Sequence, residues 1–120
     1  MQHKFVDLIP DEIPPDTLFI SLEYGTCVHL CGCGCKNEVI TPLSPSDWKL
    51  TYDGEAISLH PSIGNWSFDC RSHYFVKNNK ISWCKDSGGA LTRQAQRDSE
   101  QPKNKSVFSK LKLLYNRYFH

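Results

Sequence analysis

No run of apolar residues in this 120-residue chain approaches the roughly 20 that a membrane-spanning helix needs. That excludes a helical membrane span. The first 16 residues also lack the basic stretch and apolar core of a secretory signal. They carry Asp7, Asp11, Glu12 and Asp16 among Pro10, Pro14 and Pro15 instead. With neither signal present, the expected location is cytoplasmic, where thiols stay reduced and clustered cysteines serve metals or catalysis more often than disulfides. Apolar residues are sparse at 39% and charged residues at 22%, so part of the chain is expected to lie outside a packed core. Residues 86–106 hold almost no large apolar side chain and read as a polar linker. No internal repeat is present. A large net charge is missing as well, but the small overall balance of +1 hides an asymmetry. Residues 1–84 carry six Lys/Arg against ten Asp/Glu, a net of −4, and residues 85–120 carry eight against three, a net of +5. An acidic body with a basic tail follows.

The pattern that is present is one of short strands. The three prolines make residues 1–16 an irregular N-terminal segment. Thr17 to Tyr24 alternates and is rich in β-formers, Thr26 to Leu30 follows the Gly25 turn, and Glu38 to Thr41 leaves the cysteine-rich segment. Trp48 to Tyr52 and Ala56 to Leu59 flank Asp53-Gly54, a hairpin signal. His60 to Asn65 reads as a loop. Trp66 to Phe68, His73 to Val76 and Ile81 to Cys84 read as strands, the last two joined by Asn78-Asn79. The expected fold is mostly β: a small antiparallel domain over residues 17–85, barrel or sandwich-like and stabilised by zinc, followed by the linker and a C-terminal amphipathic basic helix over 107–120. In that last segment Val107, Leu111, Leu114 and Tyr118 share one face, and Lys110, Lys112 and Arg117 take the other.

Chemistry concentrates in His29-Leu-Cys31-Gly-Cys33-Gly-Cys35 and in Cys70-Arg-Ser-His73. A tight turn brings thiols two to four residues apart onto one ion, and glycines such as Gly32 and Gly34 let the backbone wrap it. Cysteines separated by a single residue do not readily bond to each other, so three in five residues favour one structural Zn2+ over a disulfide. The spacing matches none of the common iron–sulfur runs. Cys31, Cys33, Cys35, Cys70 and His73 are five candidates for four positions, and spacing does not choose among them. His29 is a sixth candidate, read as a half-buried strand histidine. Cys27 and Cys84 stand beside apolar residues and read as small hydrophobic groups, with a ligand role for Cys84 left open. Ser58 to Ser72 reads as a turn-rich connection around the metal that lends Ile63, Trp66 and Phe68 to the core, with a recognition loop carrying Trp66 and Arg71 as the alternative. Trp48 and Trp83 read as core. A catalytic metal would need a base at a recognised spacing, and Glu23, Glu38 and Asp69 offer none. A Cys31/His73 nucleophile pair is conceivable, but ligation accounts for the clustered thiols better. The residues therefore favour a binding module over an enzyme, with no catalytic residue assigned.

The strings LFISLEYGTCVHLCGCGC, TPLSPSDWKL, SLHPSIGNW and CRSHYFV, spread over Thr17 to Trp83, resemble a bacterial family catalogued as domain of unknown function six-five-two-seven. Its pattern is matched at His29, Cys31, Cys33, Gly34, Cys35, Pro61, Ser62, Ile63, Cys70, Ser72 and His73. The chain departs at Gly32, where the family often has Pro, and at Lys36, where it often has Gly. Neither departure removes a ligand. The resemblance implies a zinc-binding protein encoded beside bacterial ubiquitin-like conjugation genes, with a role in a conjugation or defence system. The combined expectation is a zinc-stabilised interaction module with a protein partner from such a pathway. The alternatives are a nucleic-acid binder using the basic tail and stacking aromatics such as Trp66, Tyr74 or Trp83, or an enzyme using the zinc or a cysteine.

Overall fold

The computed structural model of the chain describes residues 1–100. It contains β1 (Gln2–Phe5), β2 (Thr17–Ser21), β3 (Thr26–Leu30), β4 (Glu38–Pro42), β5 (Lys49–Tyr52), β6 (Ile57–Gly64), β7 (His73–Lys77), β8 (Lys80–Trp83) and one helix, α1 (Ala90–Glu100). The strands form two four-stranded sheets in the orders β1-β2-β3-β4 and β5-β6-β7-β8. All neighbours are antiparallel except β1, which runs parallel to β2. Neither sheet closes into a barrel, so the expected mostly β fold takes its sandwich-like form. The expected helix over 107–120 lies outside the described residues.

Alternation sets which side chains meet between the sheets. In β2, Leu18 and Ile20 are fully buried and join Cys27 and Val39 with Ile57, Leu59, Tyr74 and Val76 from the second sheet in one core. Phe19 faces the other way and packs with Val28 and Ile13 in a smaller cluster, so β2 is buried on both faces. The turns match their residue types. Gly54 adopts a φ of +97°, while the Asp53 carboxylate accepts from the amides of Glu55 at 2.9 Å and Ala56 at 2.8 Å. Those two bonds hold the Asp53 carboxyl below its ordinary range. Asn78 and Asn79 both take positive φ between β7 and β8, and the Asn79 carboxamide oxygen also accepts from the Ile57 amide at 2.8 Å.

Four segments differ from the sequence expectation. Gln2–Phe5 forms an edge strand inside the segment expected to be irregular, ahead of its prolines. Trp66 to Phe68 is a turn, closed by Phe68 N–H donating to Asn65 O at 3.1 Å. His60 to Gly64, read as a loop because of Pro61 and Gly64, continues β6. Its pairing with β7 shifts between Leu59 and Ile63, a bulge that tolerates a residue without an amide proton. Ser62 sits in that bulge. Ala90–Glu100, inside the expected linker, is a helix. It docks with little apolar surface: the buried Thr92 hydroxyl donates to Cys70 O at 3.0 Å, and Gln96 Nε2 donates to Cys84 O at 3.4 Å.

Candidate active site and cysteine cluster

The end of β3 and the turn behind it deliver Cys31, Cys33 and Cys35. Gly34 donates to Cys31 O at 3.1 Å, the Cys31 amide donates to Asn37 O at 2.8 Å, and Gly34 takes a φ of +91° that closes the loop. Cys70 comes from the turn before β7. The four sulfurs lie within 4.8 Å of one another, with Cys31–Cys33 at 3.4 Å, Cys31–Cys70 at 3.7 Å and Cys35–Cys70 at 3.8 Å. All six cysteines are unbridged. A tetrahedral ion with Zn–S near 2.3 Å would set its sulfurs about 3.8 Å apart, so the donor set and its spacing fit a metal. Outer donors are in place too. The Ser72 hydroxyl, fully buried, accepts from Asn65 Nδ2 at 2.8 Å and sits 3.1 Å from Cys31 Sγ, while Asn37 Nδ2 donates to Cys35 Sγ at 3.3 Å. Burial pushes the Cys31 thiol up to about 11 and the Cys33 thiol higher still. Burial acts on Cys70 in the same direction, but the Ser72 hydroxyl and amide, with the thiols of Cys33 and Cys31, outweigh it and bring Cys70 to about 7.

His73 is not among these sulfurs. Its ring joins a different set, in which Ser62 Oγ is 2.8 Å from Nε2 and Asp86 Oδ1 is 2.6 Å from Nδ1. A carboxylate only accepts, so Nδ1 carries the hydrogen it donates to Asp86. The Nε2 lone pair then faces the Ser62 hydroxyl. The bulge in β6 presents Ser62, the first residue of β7 presents His73, and the turn after β8 presents Asp86. That turn is tied down by Cys84 N–H to His73 O at 2.9 Å, Ser87 N–H to Cys84 O at 3.2 Å and the Ser87 hydroxyl accepting from the His73 amide at 2.9 Å. The Trp66 ring lies 5.0 Å from the His73 ring and is half exposed, with the Arg71 guanidinium 6.0 Å from the indole. A Cβ on Gly64 would fall 2.5 Å from Trp66 Nε1, so the missing side chain there is what lets the indole settle.

A hydroxyl, an imidazole and a carboxylate in that order of contact form the nucleophile–base–acid arrangement of serine hydrolases. No curated protein and no solved structure matches the chain. A family model described as bacterial ubiquitination-like system serine protease (BubE) matches residues 5–84, and the chain belongs to that family. The expected link to bacterial ubiquitin-like systems therefore stands. The expectation that favoured a binding module over an enzyme is corrected, because the family is described as a protease; Ser62 and His73 pair with each other apart from the clustered thiols.

The other singled-out residues fall into place around these two sets. His29 is buried in β3, and its Nε2 is 2.7 Å from the Tyr74 hydroxyl. Burial lowers it to about 4, so it is neutral and apart from the sulfurs. Cys27 lies in the core, and Trp48 and Trp83 pack against it. Ile63 and Phe68 also belong there, whereas Trp66 faces the His73 ring. Cys31 is held among the sulfurs and not against His73, as a Cys31/His73 nucleophile pair would require. Among the described residues no helix is long and apolar enough to cross a membrane.

Proposed function

We propose that this chain is a serine protease of a bacterial ubiquitin-like system, with Ser62 as nucleophile, His73 as general base and Asp86 as the group that orients it. The observation that carries this reading is the Ser62–His73–Asp86 hydrogen-bond chain. Ser62 Oγ attacks the carbonyl of an acyl bond as His73 Nε2 takes its proton. Asp86 stabilises the imidazolium, which then protonates the leaving group and opens the acyl-enzyme to water. The protein partner is the ubiquitin-like modifier of the same system, joined by a peptide, isopeptide or ester bond. The half-exposed Trp66 and the adjacent Arg71 line the approach to His73 and offer an aromatic and a cationic contact to its tail.

Cys31, Cys33, Cys35 and Cys70 would hold one Zn2+ as a closed structural site, and a bound ion would cross-link the β3 turn to the segment that leads into β7. His73, the fifth ligand candidate, lies outside the sulfur set and serves catalysis instead. A reducing cytoplasm suits these unbridged thiols.

The test is covalent labelling of the zinc-loaded protein with a fluorophosphonate, read by peptide mass spectrometry, alongside cleavage of the cognate ubiquitin-like protein carrying a C-terminal extension. Labelling at Ser62, lost in Ser62→Ala together with cleavage, is expected. An adduct on another residue, or undiminished cleavage by folded Ser62→Ala, would refute the assignment.

A further inference from the structure

A second group of side chains able to ligate a metal includes His73, the proposed base. One ring nitrogen of His73, Cys84 Sγ and a carboxylate oxygen of Asp86 lie within 4.8 Å of one another. The β7–β8 ladder creates this proximity. Tyr74 pairs with Trp83, and the Cys84 amide bonds His73 O at 2.9 Å, so His73 and Cys84 follow as cross-strand neighbours. Asp86 reaches back from the turn two residues on. The set opens to solvent, with Cys84 only partly buried and the Asp86 side chain 63% exposed.

We propose that Zn2+ binds across His73, Cys84 and Asp86 and inhibits the enzyme, at a site distinct from the Cys31/Cys33/Cys35/Cys70 cluster. Thiolate, imidazole and carboxylate together select a borderline-soft divalent ion over Mg2+ or Ca2+. Three protein donors with water in the fourth position make an open site, which exchanges its ion more readily than the closed four-sulfur one. Nε2 faces Ser62 and Nδ1 faces Asp86, so an ion shared with the carboxylate takes Nδ1. On binding, the Cys84 thiol proton leaves to solvent and the Nδ1 proton moves to Nε2. The imidazole then donates to Ser62 Oγ instead of accepting from it, and the general base is gone. The inhibitory consequence rests on the proposed serine-protease function, whereas the ion site does not.

The experiment titrates protein already carrying one zinc with further Zn2+ by calorimetry, and follows fluorophosphonate labelling of Ser62 over the same zinc range. Wild type is expected to bind a second equivalent, with labelling slowing at the same midpoint. Because loss even of an outer-shell partner weakens metal sites by about 10–100-fold, Cys84→Ala is expected to weaken the second equivalent by at least about tenfold and to move the labelling midpoint with it. Each variant is normalised to its own rate without added zinc, and Cys84→Ser serves where the alanine variant folds poorly. Absence of a second equivalent, or an unchanged affinity in Cys84→Ala, would overturn the site. A second equivalent without slowed labelling would overturn the inhibition. A second equivalent that Cys84→Ala loses, in protein whose Ser62 never labels, would keep the ion site and overturn the protease function.

Discussion

Replacing Asp86 with asparagine tests how much of the catalytic power depends on a carboxylate in water. The Asp86–His73 contact is 2.6 Å. At that separation a carboxylate and an imidazolium attract by about 1.6 kcal/mol at a dielectric near 80 and by about 6 kcal/mol near 20. Asp86 is 63% exposed, which places it toward the screened end. The carboxamide also offers Nδ1 a donor, favouring the tautomer that turns an N–H toward Ser62. The two effects together give an expected fall in labelling rate of about 10²-fold, or about 2.7 kcal/mol of activation free energy. A buried triad carboxylate shows about 10⁴-fold. The assay is the second-order rate of fluorophosphonate labelling of Asp86→Asn against wild type, with circular dichroism to confirm folding. A rate within twofold of wild type would refute an orienting role for Asp86. A loss as complete as that of Ser62→Ala would refute the argument from solvent screening.

The proposed activity is expected to depend on an ion at the four sulfurs. Chelation of the zinc-loaded protein should abolish labelling of Ser62 and lower the thermal midpoint, and retained labelling in metal-free protein would show the two sites to be independent. Gly89→Ala would place a Cβ 2.4 Å from the Cys70 carbonyl oxygen at a φ of +89°; the expected cost is about 2 kcal/mol or more, seen as a thermal midpoint lowered by about 10 °C, and an unchanged midpoint would mean that this close approach is not kept in solution. Burial raises the Cys27 thiol to about 11, against a smaller lowering by the Thr41 hydroxyl. Because only the thiolate reacts, iodoacetamide should modify native Cys27 slowly at neutral pH and faster as pH rises toward that value; rapid modification at neutral pH, read by mass spectrometry, would contradict the burial.

The cysteine cluster was legible because its ligands are close in sequence. Three thiols in five residues need only one turn to converge, and residue types alone carry that signal. The Ser62–His73–Asp86 set has no such local mark. Its members lie in a bulge, at a strand start and in a turn, and only the pairing of β6 with β7 and of β7 with β8 brings them together. Ser62 and His73 did stand in the blocks that carried the family resemblance, but Cys70-x-x-His73 is also an ordinary ligand spacing, and spacing does not report which way a ring faces. Strand periodicity found the sheet positions of Leu18, Ile20 and Tyr74. It missed His60 to Gly64 because bulges accept the residues that mark loops. It missed α1 because that helix docks through Thr92 and Gln96 rather than through an apolar stripe.

The two sites are joined by four consecutive residues. Cys70 belongs to the sulfur cluster. Arg71 takes positive φ, and its carbonyl accepts from Gly88 N–H at 3.1 Å. Ser72 sends its hydroxyl back toward Cys31, and His73 turns its ring out to Ser62 and Asp86. The Cys70 carbonyl is in turn held by the Thr92 hydroxyl, with Gly89 closed against the same peptide. A shift of Cys70 therefore moves the backbone that aims His73, and hydrogen-bond chains of the Ser62–His73 kind lose function with displacements of about 1 Å. In a domain this small, with few apolar contacts between α1 and the sheets, an ion held by the four sulfurs would be the local constraint on that aim. Its closeness to His73, the proposed base, would thus have a mechanical reason, and the same economy of space leaves Cys84 within reach of His73.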